Sequence, residues 1–266
     1  MLSFCYKRAF SVLMKKPLRL WGLSLMSLLV SILAILFGAT ILPVAIAFIY
    51  IISVGMSKVY IDGINEREVN SDQLFEGFSR PFRIAGGMAW SSLWIVIWII
   101  VPLLAGALLM FVWNTLFSRL LIDFGAYSAI SAFQIIGTFL GAVVSLAGLV
   151  VATIKFYEYR FVPYILATRP AVTATQALRL SKDLTKGKKR WMFLADLIPT
   201  VALAIATLIL NLLARIPVIG AIFIVLSIVL SAAFVLFLPI FKGLYDAAFY
   251  EFGNEAPARE NTEAQS

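Results

Sequence analysis

The feature that most limits what this chain can fold into is the length of its uninterrupted apolar runs. One of them extends from Leu20 to about Ile61, too long for a single helix, and others of about 20 to 30 residues follow it. Of the 266 residues 62% are hydrophobic, and the mean hydropathy is +0.96. A soluble domain of this size cannot hide so much apolar surface, because surface grows almost as fast as mass. The chain needs an apolar solvent, and a bilayer supplies one. In lipid each element must satisfy its own backbone polar groups, which leaves helix bundles and closed barrels. A barrel would need alternating strands of roughly 10 residues, far shorter than these runs. The expected fold class is therefore all-α: a polytopic membrane helix bundle.

Punctuation in the runs divides them into six transmembrane helices. Gly38-Ala39-Thr40 ahead of Pro43 breaks the first stretch into spans at about 20–38 and 42–60. Further spans follow at about 84–113, 130–154, 192–214 and 217–241, the last two parted by Arg215-Ile216-Pro217. A cleaved signal peptide is the rival reading of the first span, but its apolar part exceeds a signal core and runs straight into the second. Between spans, Asp72 to Phe78 reads as a short amphipathic helix, and 114–128 as another with Asn114, Arg119 and Asp123 as polar members. The largest polar region, 155–191, carries nine basic and two acidic residues. There Thr173 and Gln176 have capping-box spacing and Gly187 suits a helix end, which predicts a helix over 174–186. After the last span, Phe241, Leu244, Tyr245, Ala248, Phe249 and Phe252 make one apolar helical face, suited to lying on a membrane surface. Residues 1–253 thus form one integral membrane domain, and 254–266 read as a polar, disordered cytoplasmic tail.

Lys and Arg number five before the first span, four in 58–83, nine in 155–190 and two after the last span. The opposite side has only Arg119 and Arg215. This bias predicts an N-in/C-in topology. Each pair of spans follows a cytoplasmic amphipathic piece with a basic or aromatic knot: Phe10 to Trp21, Leu74 to Arg83, and Ala177 to Trp191. The layout suggests three hairpins, each entered through a surface helix. The alternative is that all inward loops look basic and amphipathic.

The net charge of +8 is spread between spans, as contact with an anionic inner leaflet requires, and no basic domain is large enough for nucleic acid. With no histidine and Cys5 as the single cysteine, intrachain disulfides and Cys/His metal sites are excluded, and no cofactor is expected. Zinc-protease, Ser-His and phosphate-loop motifs are missing, so the chain does not read as an enzyme. Asp196 is the best candidate for a functional polar residue, because a charge within a span is costly. It is either paired with Lys189 or another base of the 155–191 loop, or a proton or cation ligand facing a cavity. Lys188, Lys189, Arg190, Trp191, Tyr157 and Tyr159 are candidates for headgroup contact. Gly137, Gly141 and Ser145 form a small-residue ladder for close helix packing, either within one bundle or between two copies.

The run Tyr157-Glu-Tyr-Arg-Phe-Val-Pro163-Tyr164-Ile-Leu-Ala167, then Ala177-Leu with Ser181, Leu184 and Gly187, resembles the signature of a bacterial integral-membrane family of unknown function. Leu74-Phe75 with Gly77-Phe78, and the ending from Pro239 to Tyr250, are similar too. Related membrane parts precede some bacterial glycerophosphodiester phosphodiesterases. The resemblance implies this architecture and a bacterial plasma-membrane setting; it implies no reaction. Two functions are then expected in order: cytoplasmic amphipathic helices engaging inner-leaflet lipid or a protein partner, in envelope homeostasis or as an accessory subunit, or else a transporter with Asp196 lining its path. A lipid-modifying enzyme comes third.

Overall fold

A computed structural model describes residues 1–15, 17–38, 41–217 and 219–263. Among them there is no strand, and ten α-helices account for nearly everything. These are α1 (Leu2–Lys15), α2 (Pro17–Gly38), α3 (Leu42–Ile64), α4 (Asp72–Phe75), α5 (Pro81–Asp123), α6 (Ile130–Glu158), α7 (Val162–Thr168), α8 (Ala174–Thr185), α9 (Lys189–Leu213) and α10 (Gly220–Glu263). Six of them, α2, α3, α5, α6, α9 and α10, are long and apolar enough to cross a membrane. Their outward surfaces are apolar: Leu29, Leu36, Leu104, Phe139, Leu208 and Val225 are all exposed. So much bare hydrocarbon belongs against lipid. This is a multi-pass helical membrane protein.

Two boundaries differ from the sequence expectation. α5 runs unbroken to Asp123, so residues 114–123 are not a separate amphipathic segment. Polar side chains do not stop a helix; the stop comes at Gly125, whose φ of +70° only glycine takes without strain. α10 likewise continues past 241, and its segment to Tyr250 does not present one apolar face to a membrane surface. Leu244, Tyr245, Asp246, Ala247, Ala248, Phe249 and Tyr250 are buried in succession, so the helix is enclosed on all sides. The helix is described as far as Glu263, covering most of the stretch expected to be a disordered tail. Ala and Glu, good helix formers, recur there. Ala39 and Thr40, part of the expected break between the first two spans, lie outside the described residues, as do 264–266.

The chain forms two compact units, residues 1–89 with 160–266, and residues 90–159. In the first, α2 packs on α3 and α9 on α10, while α1, α3, α7 and α8 surround α10 over residues 243–250. Cys5, Ala9 and Leu13 of α1, Val59 and Ile64 of α3, Phe161 beside α7, and Ala177 of α8 fill this core. α8 opens with the expected capping box: the Thr173 hydroxyl accepts from the Gln176 amide, and the Gln176 side chain accepts from the Thr173 amide. In the second unit, α5 and α6 approach closely at glycines. A Cβ on Gly141 would lie 2.6 Å from the Gly106 carbonyl oxygen, and one on Gly106 would lie 2.1 Å from Ser145 Oγ. Trp113 closes the far end by donating its indole N–H to the Phe133 carbonyl at 3.0 Å.

Candidate functional site

The polar centre of the first unit is built around Arg160. α6 ends at Glu158 and Pro163 opens α7, because a proline tolerates the first turn of a helix but not its interior. Arg160 lies in the short turn between them. The turn is fixed from below by Ser181 of α8, wholly buried, whose Oγ accepts the Phe161 amide at 3.1 Å. Farther along, the Tyr164 hydroxyl donates to the Gly243 carbonyl at 3.1 Å, and the Thr168 and Tyr250 hydroxyls meet at 2.8 Å. A side chain on Gly243 would collide with the Tyr60 ring, at 2.1 Å from its Cβ, so this approach of α3 to α10 requires glycine.

From that turn Arg160 grips two helices. Its Nη1 and Nη2 donate to the two oxygens of Asp196 on α9, at 2.6 and 2.9 Å. Its Nε lies 2.9 Å from Asp246 Oδ2 on α10, and its Nη2 lies 2.7 Å from Oδ1. Lys242, one turn before Asp246, sits 2.7 Å from Asp196 Oδ1 and 4.0 Å from Asp246 Oδ2. The Tyr245 hydroxyl also donates to Asp196. Two cations thus face two carboxylates, and the cluster is formally neutral. The planar guanidinium fork holds Asp196 through both its oxygens while Nε donates to Asp246, an arrangement a lysine could not reproduce. The Arg160 and Asp246 side chains are nearly inaccessible, 5% and 7% exposed, whereas those of Asp196 and Lys242 are 25% and 36% exposed.

α1 closes over this cluster. Tyr6 donates its hydroxyl to the Ala195 carbonyl and packs its ring against Phe241 and Tyr245. Burial, helped by the nearby Asp196 charge, pushes its phenol up to about 12. Burial likewise pushes the Cys5 thiol up to about 11. An unionised, fully enclosed thiol is a packing residue.

Asp196 therefore stands at the centre of a cluster whose other members sequence reasoning did not single out. Arg160, a base of the 155–191 loop other than Lys189, supplies the pairing expected for Asp196. Lys242 and Asp246 did carry a signal: opposite charges four apart within an apolar stretch share a helix face. Of the residues expected at headgroups, Arg190 and Trp191 are exposed, and Lys189 and Tyr159 are half-buried. Lys188 lies 5.7 Å from the Phe252 ring centre, and its partial burial lowers its pKa. Tyr157 is buried at 7% exposure, which removes it from a lipid-facing role. Gly137, Gly141 and Ser145 lie together on α6, where a Cβ on Gly137 would strike Trp113 at 2.3 Å.

The chain matches no protein-family model, no curated protein and no solved structure. Fold and site define the class, a multi-pass all-helical membrane protein.

Proposed function

We propose that the chain is a non-enzymatic protein of the bacterial plasma membrane, with both termini inside, three transmembrane hairpins, and a cytoplasmic-side helical cluster that engages anionic inner-leaflet lipid. The observation that carries this is the outer face of α1. Its inner face, Cys5, Ala9, Val12 and Leu13, is spent on the protein core, yet Phe4, Phe10 and Met14 are exposed at 51%, 50% and 65%. Exposed Lys7 and Lys15 lie among them. Bare aromatic and apolar side chains interleaved with cations fit the boundary between headgroups and acyl chains.

Supporting it, twenty of the 22 basic residues fall on the side assigned to the cytoplasm. A short helical piece (α1, α4 or α8) precedes each successive pair of long helices, in keeping with a hairpin repeat and with the resemblance to the bacterial membrane family. α8 buries Ala177, Leu178 and Ser181, and its Arg179 and Lys182, with Lys186 just past its end, are exposed, so it would meet headgroups by charge alone. Both Asp196 oxygens are engaged by Arg160, Lys242 and Tyr245, which favours a structural tie over a transport ligand.

The test is hydrogen exchange on the full chain in nanodiscs of zwitterionic phospholipid, with and without phosphatidylglycerol. Residues 2–15 should exchange more slowly with phosphatidylglycerol, and high salt should remove part of that protection. Equal exchange in both discs would contradict it. Ion or solute flux through reconstituted protein, lost on Asp196→Asn, would replace it with the transport reading.

A further inference from the structure

A second polar site in the first unit has the opposite character to the neutral Arg160 cluster. A cavity of about 350 Å³ opens between α3, α4 with the 3-10 turn Glu76–Ser79, the start of α5, and α7. Its wall carries Lys58, Arg80 and Arg83 against a single carboxylate, Glu76. Among the described residues neither guanidinium pairs with a carboxylate. Arg83 donates to the carbonyls of Leu166, Arg169 and Val172 at 2.8, 3.3 and 3.2 Å, and Arg80 to that of Pro170 at 3.3 Å. Carbonyls hold these groups in place without cancelling their charge. Arg83 Nε is buried and has no hydrogen-bond partner. Of the three cations, Lys58 alone among the described residues forms an ion pair, with Asp62 at 3.5 Å, and Asp62 is shared with Arg67 at 3.4 Å.

The cavity is also shaped by construction. A Cβ on Gly55 would lie 2.3 Å from the Leu74 carbonyl oxygen, and one on Gly77 would lie 2.8 Å from Ile51, so two glycines let the α4 segment close against α3. Ser79 and Thr168 add hydroxyls to the wall, and Gln73 an amide. The chain neighbour of Glu76, Phe75, lines a different, apolar groove of about 560 Å³ with Val30, Leu33, Val44 and Phe48. One short segment thus borders a basic cavity on one side and an apolar groove on the other.

We infer that the Lys58–Arg80–Arg83 cavity binds a phosphate group, and that the groove beside Phe75 makes a phospholipid headgroup its source rather than free phosphate. Three cations converging with hydroxyl and amide donors match the charge and hydrogen-bonding needs of a phosphodiester. The adjacent apolar groove gives an acyl chain somewhere to lie. This deepens the proposed lipid engagement and rests on its placing this end of α3 and α5 at the inner leaflet.

The experiment uses the delipidated full chain in mild detergent, with binding followed by native mass spectrometry. The probes are phosphatidylglycerol, phosphatidylcholine and inorganic phosphate. One phosphatidylglycerol should bind saturably, with phosphatidylcholine at least tenfold weaker. Arg80→Gln and Lys58→Gln should each weaken it by about tenfold, the scale of one charged hydrogen bond. Arg83 holds the end of α7 and is a poor variant, because its loss threatens folding; Arg179→Gln on α8 should leave binding unchanged. Inorganic phosphate binding as tightly as the lipid would overturn the assignment of source. Unchanged phosphatidylglycerol binding in both cavity variants would overturn the site itself. In that last case slower exchange of α1 in anionic nanodiscs would still uphold the broader reading, whereas its absence would sink both.

Discussion

Replacing Arg160 tests the polar centre most severely. Arg160→Met keeps length and removes the charge, leaving Asp196 with Lys242 at 2.7 Å and Asp246, among the described residues, with no paired cation but Lys242 at 4.0 Å. The cluster passes from neutral to one net negative charge, and the excess falls on Asp246, whose side chain is 7% exposed. Removing one partner of a buried ion pair costs about 3–5 kcal/mol. At about 2–4 °C per kcal/mol for a chain of this size, the melting midpoint should drop by about 6–20 °C. The assay is thermal unfolding of the purified protein in a fixed detergent. A control is Lys15→Met, which breaks the Lys15–Glu66 pair, 61% and 68% exposed, and should cost at most about 1 kcal/mol. The double variant Arg160→Met/Asp246→Leu restores neutrality and should melt above Arg160→Met alone, because its losses do not add. A midpoint for Arg160→Met within about 2 °C of the parent, or a double variant showing the sum of both losses, would refute the reasoning.

Three other outcomes follow from the geometry. Gly141→Ala should destabilise the protein by about 1–3 kcal/mol, because the new methyl meets the Gly106 carbonyl; Gly22→Ala, with nothing within 4 Å, should not, and equal melting of the two would count against the α5–α6 contact. Cys5, raised by burial from 9.0 to about 11, should react with maleimide at pH 7 roughly 100-fold more slowly than a thiol of ordinary acidity, and fast labelling of the folded protein would place it at the surface. The folded state holds the Cys5 proton more tightly than the unfolded state, so its contribution to stability is intact below pH 9 and falls as pH rises toward 11. Melting curves should show Cys5→Ala escaping that part of the alkaline loss, and parallel curves would argue against it.

The six spans were legible because length and apolarity are local properties, and lipid imposes them on each helix separately. Their ends were less so. Asn114, Arg119 and Asp123 looked like an interruption, although only Gly125 has the backbone freedom to end α5. Around Tyr245 the apolar positions fit one face well, and what surrounds the other faces is α1, α3, α7 and α8, which no window of sequence reveals. Asp196 was found because a charge within a span is rare. Its partner Arg160 lies 36 residues away, and Arg160 is 86 residues from Asp246, so only the packed helices unite them. The cavity of Lys58, Arg80 and Arg83 is hidden for the same reason: in the sequence each is simply one more base of an inward loop.

Lipid engagement at the inner leaflet requires the short helices to lie on the cytoplasmic side of the membrane. In a Cys5→Ala background, Phe124→Cys and Asp183→Cys place single thiols at two exposed positions, in the α5–α6 turn and on α8. With a membrane-impermeant maleimide on intact cells, the thiol at 124 should label at once and the thiol at 183 only after permeabilisation. Labelling of position 183 from outside would contradict the proposed topology and remove the inner leaflet as the working surface.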